Sequence, residues 1–168
     1  MTLFAPHAII TGATSFVGGH VIPLMAQAGW RTTAVCRNPQ PDAPGIRNAT
    51  TVVAGDLSDM ALYTRLSEPA DVIVHLAALS PEQGHSADAM TESNVIATHH
   101  LVRHAQTNGV NTFVFASSMS VYGEVQDTEV TERTPFISPG LYGLTKAIGE
   151  ELLRDPAEKG KFRAMAIR

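Results

Sequence analysis

Ala8-Ile-Ile-Thr11-Gly12-Ala-Thr-Ser15-Phe16-Val-Gly18-Gly19 is the stretch whose reading decides the fold. Ala8 to Thr11 is a short apolar run of strand character, and Gly12 behind it suits a tight turn. From Phe16 to Gln27, the apolar residues Phe16, Val17, Val21, Leu24 and Met25 recur at helical spacing, and Gly29 ends the helix. Outward from there the alternation repeats. Thr32 to Cys36 is β-rich, Asn38 to Gly45 is a proline-laden loop, and Thr51 to Ala54 is the next strand. A helix is expected from about Asp59 to Leu66, and Asp71 to Leu76 reads as a strand buried on both faces. The polar loop Ser80 to Asp88 leads into a long helix from about Ala89 to Thr107, stopped by Gly109. Thr112 to Ala116 is a strand, Leu141 to Arg154 a helix, and Phe162 to Ile167 about the sixth strand. The pattern predicts an α/β fold: a doubly wound, mainly parallel Rossmann-type sheet flanked by helices.

Composition narrows the class. At 168 residues the chain is expected to be one domain, and 44% apolar with 17% charged residues describes a globular protein. A formal charge of −4 argues against a nucleic-acid or anionic-membrane partner. No window reaches the apolar length of a membrane span, and Met1 to His7 are too short and uncharged for a signal peptide. The single cysteine, Cys36, excludes an internal disulfide and fits a reducing cytoplasm, the expected location. Its neighbour Arg37 would lower a thiol pKa, yet a cysteine at a strand end more often simply fills space.

Two motifs carry chemistry. The first is the opening turn, which sits where a dinucleotide fingerprint requires it, between strand and helix. The N-terminus of that helix would present N–H groups and a positive dipole to a pyrophosphate, and Gly18 would let helix and sheet pack closely. Gly12, Thr14, Ser15, Phe16, Val17 and Gly18 are therefore candidate cofactor contacts. Ser15 stands where the middle glycine of the fingerprint would be. Its Cβ restricts the backbone and limits phosphate approach, while its hydroxyl could cap the helix or bond a phosphate.

The second motif is Tyr142-Gly-Leu-Thr-Lys146, 24 residues after Ser118. Tyr142 and Lys146 are i,i+4, so on a helix both side chains leave one face. A phenol with a pKa near ~10 is a poor base at neutral pH, and an adjacent cation would lower that pKa toward the working range. A helical tyrosine with a surface lysine is the ordinary alternative. His100 and His104 are also i,i+4 and could hold a metal, but no third ligand stands nearby, so His99, His100 and His104 are expected to be solvated or at an interface and no metal is expected. Val95, Leu101, Val102 and Ala105 on that helix read as core. Glu124 to Glu132 reads as a solvated acidic loop.

These segments, in order, resemble the extended short-chain dehydrogenase/reductase family, the NAD(P)-dependent epimerase/dehydratase group. The resemblance rests on Thr11-Gly12…Gly18, Gly55-Asp56-Leu57, His75-Leu76-Ala77-Ala78, Asn94-Val95, Ser117-Ser118-Met-Ser-Val-Tyr-Gly123 and Tyr142-Gly-Leu-Thr-Lys146. It implies that Tyr142 is the general acid/base and that Lys146 lowers its pKa and bonds the nicotinamide ribose. Ser118, four residues before Tyr122, would bond the reacting substrate oxygen; Ser117 and Ser120 are the residues most easily confused with it. Asp56 and Leu57 would meet the adenine, and Leu76, Ala77 and Ala78 would line the cofactor channel. Asn94 would hold a water near the lysine, with a plain exposed asparagine as the alternative. By the same resemblance, the long helix and the Tyr142 helix pair across a homodimer, and relatives use the region of the acidic loop near the substrate.

An acidic residue at the end of the second strand would select NAD, and an arginine there would accommodate the 2′-phosphate of NADP. Val35-Cys36-Arg37-Asn38 has no carboxylate, so Arg37 tilts the expectation toward NADP over NAD. The resemblance implies hydride transfer coupled to proton transfer on a small molecule, such as a nucleotide sugar. A carbonyl reductase using NADPH and a non-catalytic dinucleotide-binding regulatory module are the alternatives. Relatives continue with a substrate-binding segment that these 168 residues lack, so the chain is expected to be either a fragment of a longer enzyme or a natural short form.

Overall fold

The computed structural model describes residues 5–125, 129–131, 133–136 and 140–168. Within them a single sheet is built from β1 (His7–Thr11), β2 (Arg31–Cys36), β3 (Thr51–Ala54), β4 (Val72–His75), β5 (Thr112–Ala116) and β6 (Arg163–Ile167). The spatial order is β3-β2-β1-β4-β5-β6, and every neighbouring pair is parallel. The helices are α1 (Phe16–Gln27), α2 (Pro44–Arg47), α3 (Met60–Tyr63), α4 (Ala87–Thr91), α5 (Ala97–Thr107) and α6 (Leu141–Glu158). None of those described is long and apolar enough to cross a membrane. The doubly wound parallel sheet is therefore the observed fold.

Alternation along the strands splits the core. Ile9, Val35, Ile73, Phe113 and Phe115 face α3, α5 and α6 with Leu62, Leu101 and Leu153, while Ala8, Ile10, Ala34, Val72 and Val74 face α1 and Ile22. The apolar stripe expected of α1 is displaced. Phe16, Val17 and Leu24 are exposed, and the buried residues are Gly18 and Ile22. The cause lies in clearance: a Cβ on Gly18 would stand 2.4 Å from the Gly12 carbonyl oxygen, so the helix approaches the sheet along its side-chain-free face.

Other boundaries moved for local reasons. The helix expected over 59–66 keeps helical form only at Met60–Tyr63, capped by the Asp59 carboxylate, which accepts from the Ala61 N–H at 2.9 Å. Part of the proline-laden loop becomes α2, whose Gly45 lies against the Ala13 carbonyl. A π-helical turn, Glu92–Ile96, joins α4 to α5. At the far edge, β6 is exposed along its whole length, Met165 and Ile167 included. Of the expected acidic loop, residues 126–128 and 132 lie outside the described residues, as do residues 1–4 at the start of the chain.

Candidate dinucleotide and proton-transfer site

β1 has β2 on one side and β4 on the other, so the strand order reverses between β1 and β4. Parallel α/β sheets bind ligands at the carboxyl ends of the strands at such a switch point. A cleft of about 210 Å³ opens there. Gly12, Thr14 and Ser15 form one wall, Arg37, Asp56 and Leu57 another, and Leu76, Ala77 and Ala78 the third. Val35, Cys36, Gly55, Leu79 and Ser93, which the sequence reading did not select, complete it. Phe16, Val17 and Gly18 are not among its lining residues. Phe16 and Val17 point to solvent, whereas Gly18 acts from behind the turn.

The turn is a backbone cradle. Gly12 has φ +69°, and a Cβ there would stand 2.8 Å from the Ala77 nitrogen. Ser15 needs no glycine, since its backbone is ordinary extended chain (φ −73°, ψ 165°), and its hydroxyl caps α1 by accepting the Gly18 N–H at 3.1 Å. The concern about its Cβ is thus answered by local geometry. Asp56 is exposed and its carboxylate accepts from both the N–H and the hydroxyl of Ser58, each at 2.9 Å. Burial raises the Cys36 pKa, against the lowering that Arg37 would cause.

Tyr142 and Lys146 lie on the first turns of α6. Lys146 is only 2% exposed, donates to the Ala116 carbonyl at 2.7 Å, and holds its Nζ 4.8 Å from the Phe115 ring centre and 5.8 Å from the Tyr142 ring centre. Close packing puts it there, because a Cβ on Gly149 would stand 2.5 Å from the Phe115 ring. Burial lowers the Lys146 pKa to about 8. The phenol behaves differently from the expectation. Burial first, then the charge of Glu82, raises the Tyr142 pKa above its ordinary value. The lysine's ammonium is directed at the Ala116 carbonyl, so the protein by itself does not supply the expected lowering.

The three serines separate by partner. Ser117 donates to the Glu150 carboxylate at 2.5 Å. Ser118, in extended conformation, caps the 3₁₀ turn Met119–Tyr122 by accepting the Ser120 N–H at 3.1 Å, and its hydroxyl also meets that of Ser120 at 3.1 Å. Arg168 binds Glu150 through two nitrogens, at 2.9 and 2.6 Å. Although burial alone would raise the Glu150 pKa, the hydrogen bonds from Arg168 and Ser117 hold it below the ordinary value.

The sequence matches the NAD dependent epimerase/dehydratase family over residues 8–168. The chain belongs to that family. A UDP-glucose 4-epimerase of Rhizobium leguminosarum bv. trifolii is 31% identical over 166 residues, covering 95% of this chain and 50% of that protein. Among solved structures, a short-chain dehydrogenase/reductase superfamily protein from Agrobacterium tumefaciens with bound NAD is 29% identical with a TM-score of 0.84, over 96% of this chain and 48% of that one. MoeE5 in complex with UDP-glucuronic acid and NAD is 30% identical with a TM-score of 0.84, over 96% and 54%. The chain spans about half the length of the curated relatives it matches. Both of these structures carry NAD, so the tilt toward NADP drawn from Arg37 finds no support in them.

Within this epimerase/dehydratase-family chain, Asn94 is buried, against the alternative of a plain exposed asparagine. It is 2% exposed, and its amide accepts from the Leu79 N–H at 2.8 Å and donates to the Leu79 carbonyl at 2.9 Å and to the Thr145 hydroxyl at 3.1 Å. Both amide hydrogens and one oxygen lone pair bond to protein, clamping a residue of the cleft wall to α6. Thr145 in turn donates to the Tyr142 carbonyl at 2.8 Å. Thr11, His75, Thr98 and Thr145 join this buried polar system, and the sequence reading selected none of them for a role at the site. The available signal was polar residues at the ends of otherwise apolar strands and inside a helix.

Among the described residues, no group of three or more His, Cys, Asp or Glu side chains is placed to hold a metal ion, at the histidine row on α5 or elsewhere. His104 and His100 are not simply solvated. Both pack against the Tyr63 ring, at 5.4 and 6.2 Å between ring centres, and burial lowers the His104 pKa. Leu101, Val102 and Ala105 are core as expected, whereas Val95 is half-buried.

Proposed function

We propose that this chain is the dinucleotide-binding and proton-transfer domain, 1–168, of an NAD(P)-dependent enzyme acting on a nucleotide-sugar-like substrate. The observation that carries the proposal is the pairing of two features at one end of the sheet: the Gly12–Gly18 cradle, which a Cβ would fill, and the buried Lys146 one helical turn from Tyr142. The first fits a pyrophosphate at a helix N-terminus; the second fits a proton-transfer couple. When bound, the nicotinamide takes up or returns a hydride at a carbinol carbon.

As the phenolate, Tyr142 would accept the hydroxyl proton as the alcohol becomes a ketone, and as the phenol would give it back on return. Lys146, released from the Ala116 carbonyl toward the cofactor ribose, would bring its charge to the phenol and offset the effects of burial and Glu82. Ser118 would hydrogen-bond the reacting oxygen. Arg37 and Asp56 would flank the adenosine end, Leu57 and Ala78 would pack on it, and Asn94 would keep α6 in register with the cleft wall.

NAD is favoured by the structures this chain resembles, and Arg37 in the cleft wall favours a second reading, an NADPH-dependent reductase of a small carbonyl compound. A homodimer through α5 and α6 is in keeping with the open groove between them, which includes Val102, Ile148 and Leu152. The proposed location is the cytoplasm.

Fluorescence titration with NADH and NADPH tests the cofactor. Tighter NADH binding is expected, a clear NADPH preference would move the assignment to the reductase, and binding of neither would sink both enzyme readings. In the full-length protein, Tyr142→Phe should abolish turnover of a nucleotide sugar while retaining cofactor binding. Undiminished turnover in that variant would refute the mechanism.

A further inference from the structure

His75 is fully buried at the end of β4, level with Thr11 in the parallel register, its ring 5.6 Å from that of Phe115. Its hydrogen positions follow from its neighbours. The Asn94 carbonyl can only accept, so the Thr98 hydroxyl, 2.6 Å away, donates to it. Thr98 therefore faces the imidazole Nε2, 2.9 Å away, with a lone pair, and Nε2 carries the hydrogen. A neutral imidazole has one N–H, which leaves Nδ1 bare to accept from the Thr11 hydroxyl at 2.7 Å. The Thr11 oxygen in turn accepts the N–H groups of Leu76 and Ala77, both at 3.2 Å.

Every donor in this buried set then has one acceptor. The opposite tautomer would set two hydrogens against each other at Thr11 or leave the Nε2 lone pair facing a hydroxyl whose hydrogen is committed to Asn94. Burial, with the positive charge of Lys146 second, holds the ring neutral by lowering its pKa to about 3. Beyond Asn94 the bonds continue through its side chain to Thr145 and on to the Tyr142 carbonyl.

We propose that His75 is a positioning residue: as the Nε2–H tautomer, it ties the Leu76–Ala77 wall of the cleft to the helix bearing Tyr142 through one directed chain of hydrogen bonds. This rests on the reading of the cleft as the cofactor site. A packing histidine would need only its volume, whereas a strut needs its two nitrogens in defined roles, and the test separates the two.

In ¹⁵N-labelled full-length protein, imidazole nitrogen–proton correlation spectra should show His75 with Nε2–H and a bare, hydrogen-bonded Nδ1, unchanged between pH 5 and 8. An Nδ1–H tautomer, or titration in that interval, overturns the proposal. Thr98→Val keeps the volume and removes the link between His75 and Asn94; NADH binding should weaken about five- to tenfold, the loss of one buried hydrogen bond. Thr98→Ser should stay within about twofold of the parent, since it keeps both bonds. Thr11→Val breaks the chain at the other nitrogen and should weaken NADH similarly, so a single variant that fails to fold does not remove the test. NADH binding at parental strength in either folded valine variant would overturn the strut. A parent protein that bound no NADH would sink the cofactor reading instead, and the tautomer spectrum would still decide whether the chain runs through His75.

Discussion

Two regions at the same end of the sheet are held by opposite means. The Gly12–Gly18 turn depends on atoms that are missing: side chains at Gly12 and Gly18 would run into backbone at 2.8 and 2.4 Å. The region beneath Tyr142 depends on atoms that are present, since the Asn94 side chain makes three hydrogen bonds while the residue is 2% exposed. A turn that must admit a ligand's phosphates needs clear space and free N–H groups, so its own side chains contribute little. A helix that must hold a phenol and an ammonium in one geometry needs directional bonds, which in a dry interior are strong when complete and costly when broken.

The contrast can be broken most severely at Gly18. Gly18→Ala forces Cβ against the Gly12 carbonyl and should cost on the order of 2–4 kcal/mol and remove NADH binding. Gly19→Ala, whose Cβ would find only Pro44 Cβ at 3.9 Å, is the matched control and should leave both within error. Urea denaturation and fluorescence titration of the pair check this; equal behaviour would mean the cradle is not set by clearance.

Lys146→Met is expected to act with the opposite sign on stability. The unfolded lysine keeps its proton to about pH 10.5 while the folded one releases it near 8. The folded state therefore carries the full penalty below pH 8, and stability recovers as pH rises from 8 toward 10.5. The difference corresponds to about 3 kcal/mol, reduced by the Ala116 carbonyl losing its donor. The variant should be inactive, more stable at pH 7, and without that alkaline rise; a less stable variant at pH 7 would contradict the account. Asn94→Ala leaves the Leu79 N–H and carbonyl buried without the amide and should cost about 2–3 kcal/mol, read as a lowered denaturation midpoint. Smallest is Ser15→Ala, which removes only the cap on the Gly18 N–H and should cost about 1 kcal/mol by the same measurement.

Legibility followed the range of the forces involved. β3, β5 and α1 begin and end where the local pattern placed them, because propensity, breakers and caps act over a few residues. The α1 face was misread because hydrophobicity alone chose Phe16, Val17 and Leu24, while the sheet chose the bare flank at Gly18 and Ile22. Gly12, Thr14, Ser15, Arg37, Asp56, Leu57, Leu76, Ala77 and Ala78, scattered over 67 positions of sequence, line one cleft. The Tyr142 pKa went the other way because burial and Glu82, 60 positions earlier in sequence, both raise it, while the lysine four residues along donates to the Ala116 carbonyl.

By itself, the amino-acid sequence determined the alternation of strands and helices, the glycine turn, the family and the Tyr142–Lys146 spacing, all of which depend on residues near one another or on motifs in order. Tertiary structure alone decided that Lys146 would be buried on Phe115, that Asn94 would clamp Leu79 to α6, and that His75 would stand between Thr11 and Thr98. Those contacts join residues as much as 64 positions apart, and a hydrogen bond's partner and direction exist only once the backbone has brought both groups within about 3 Å.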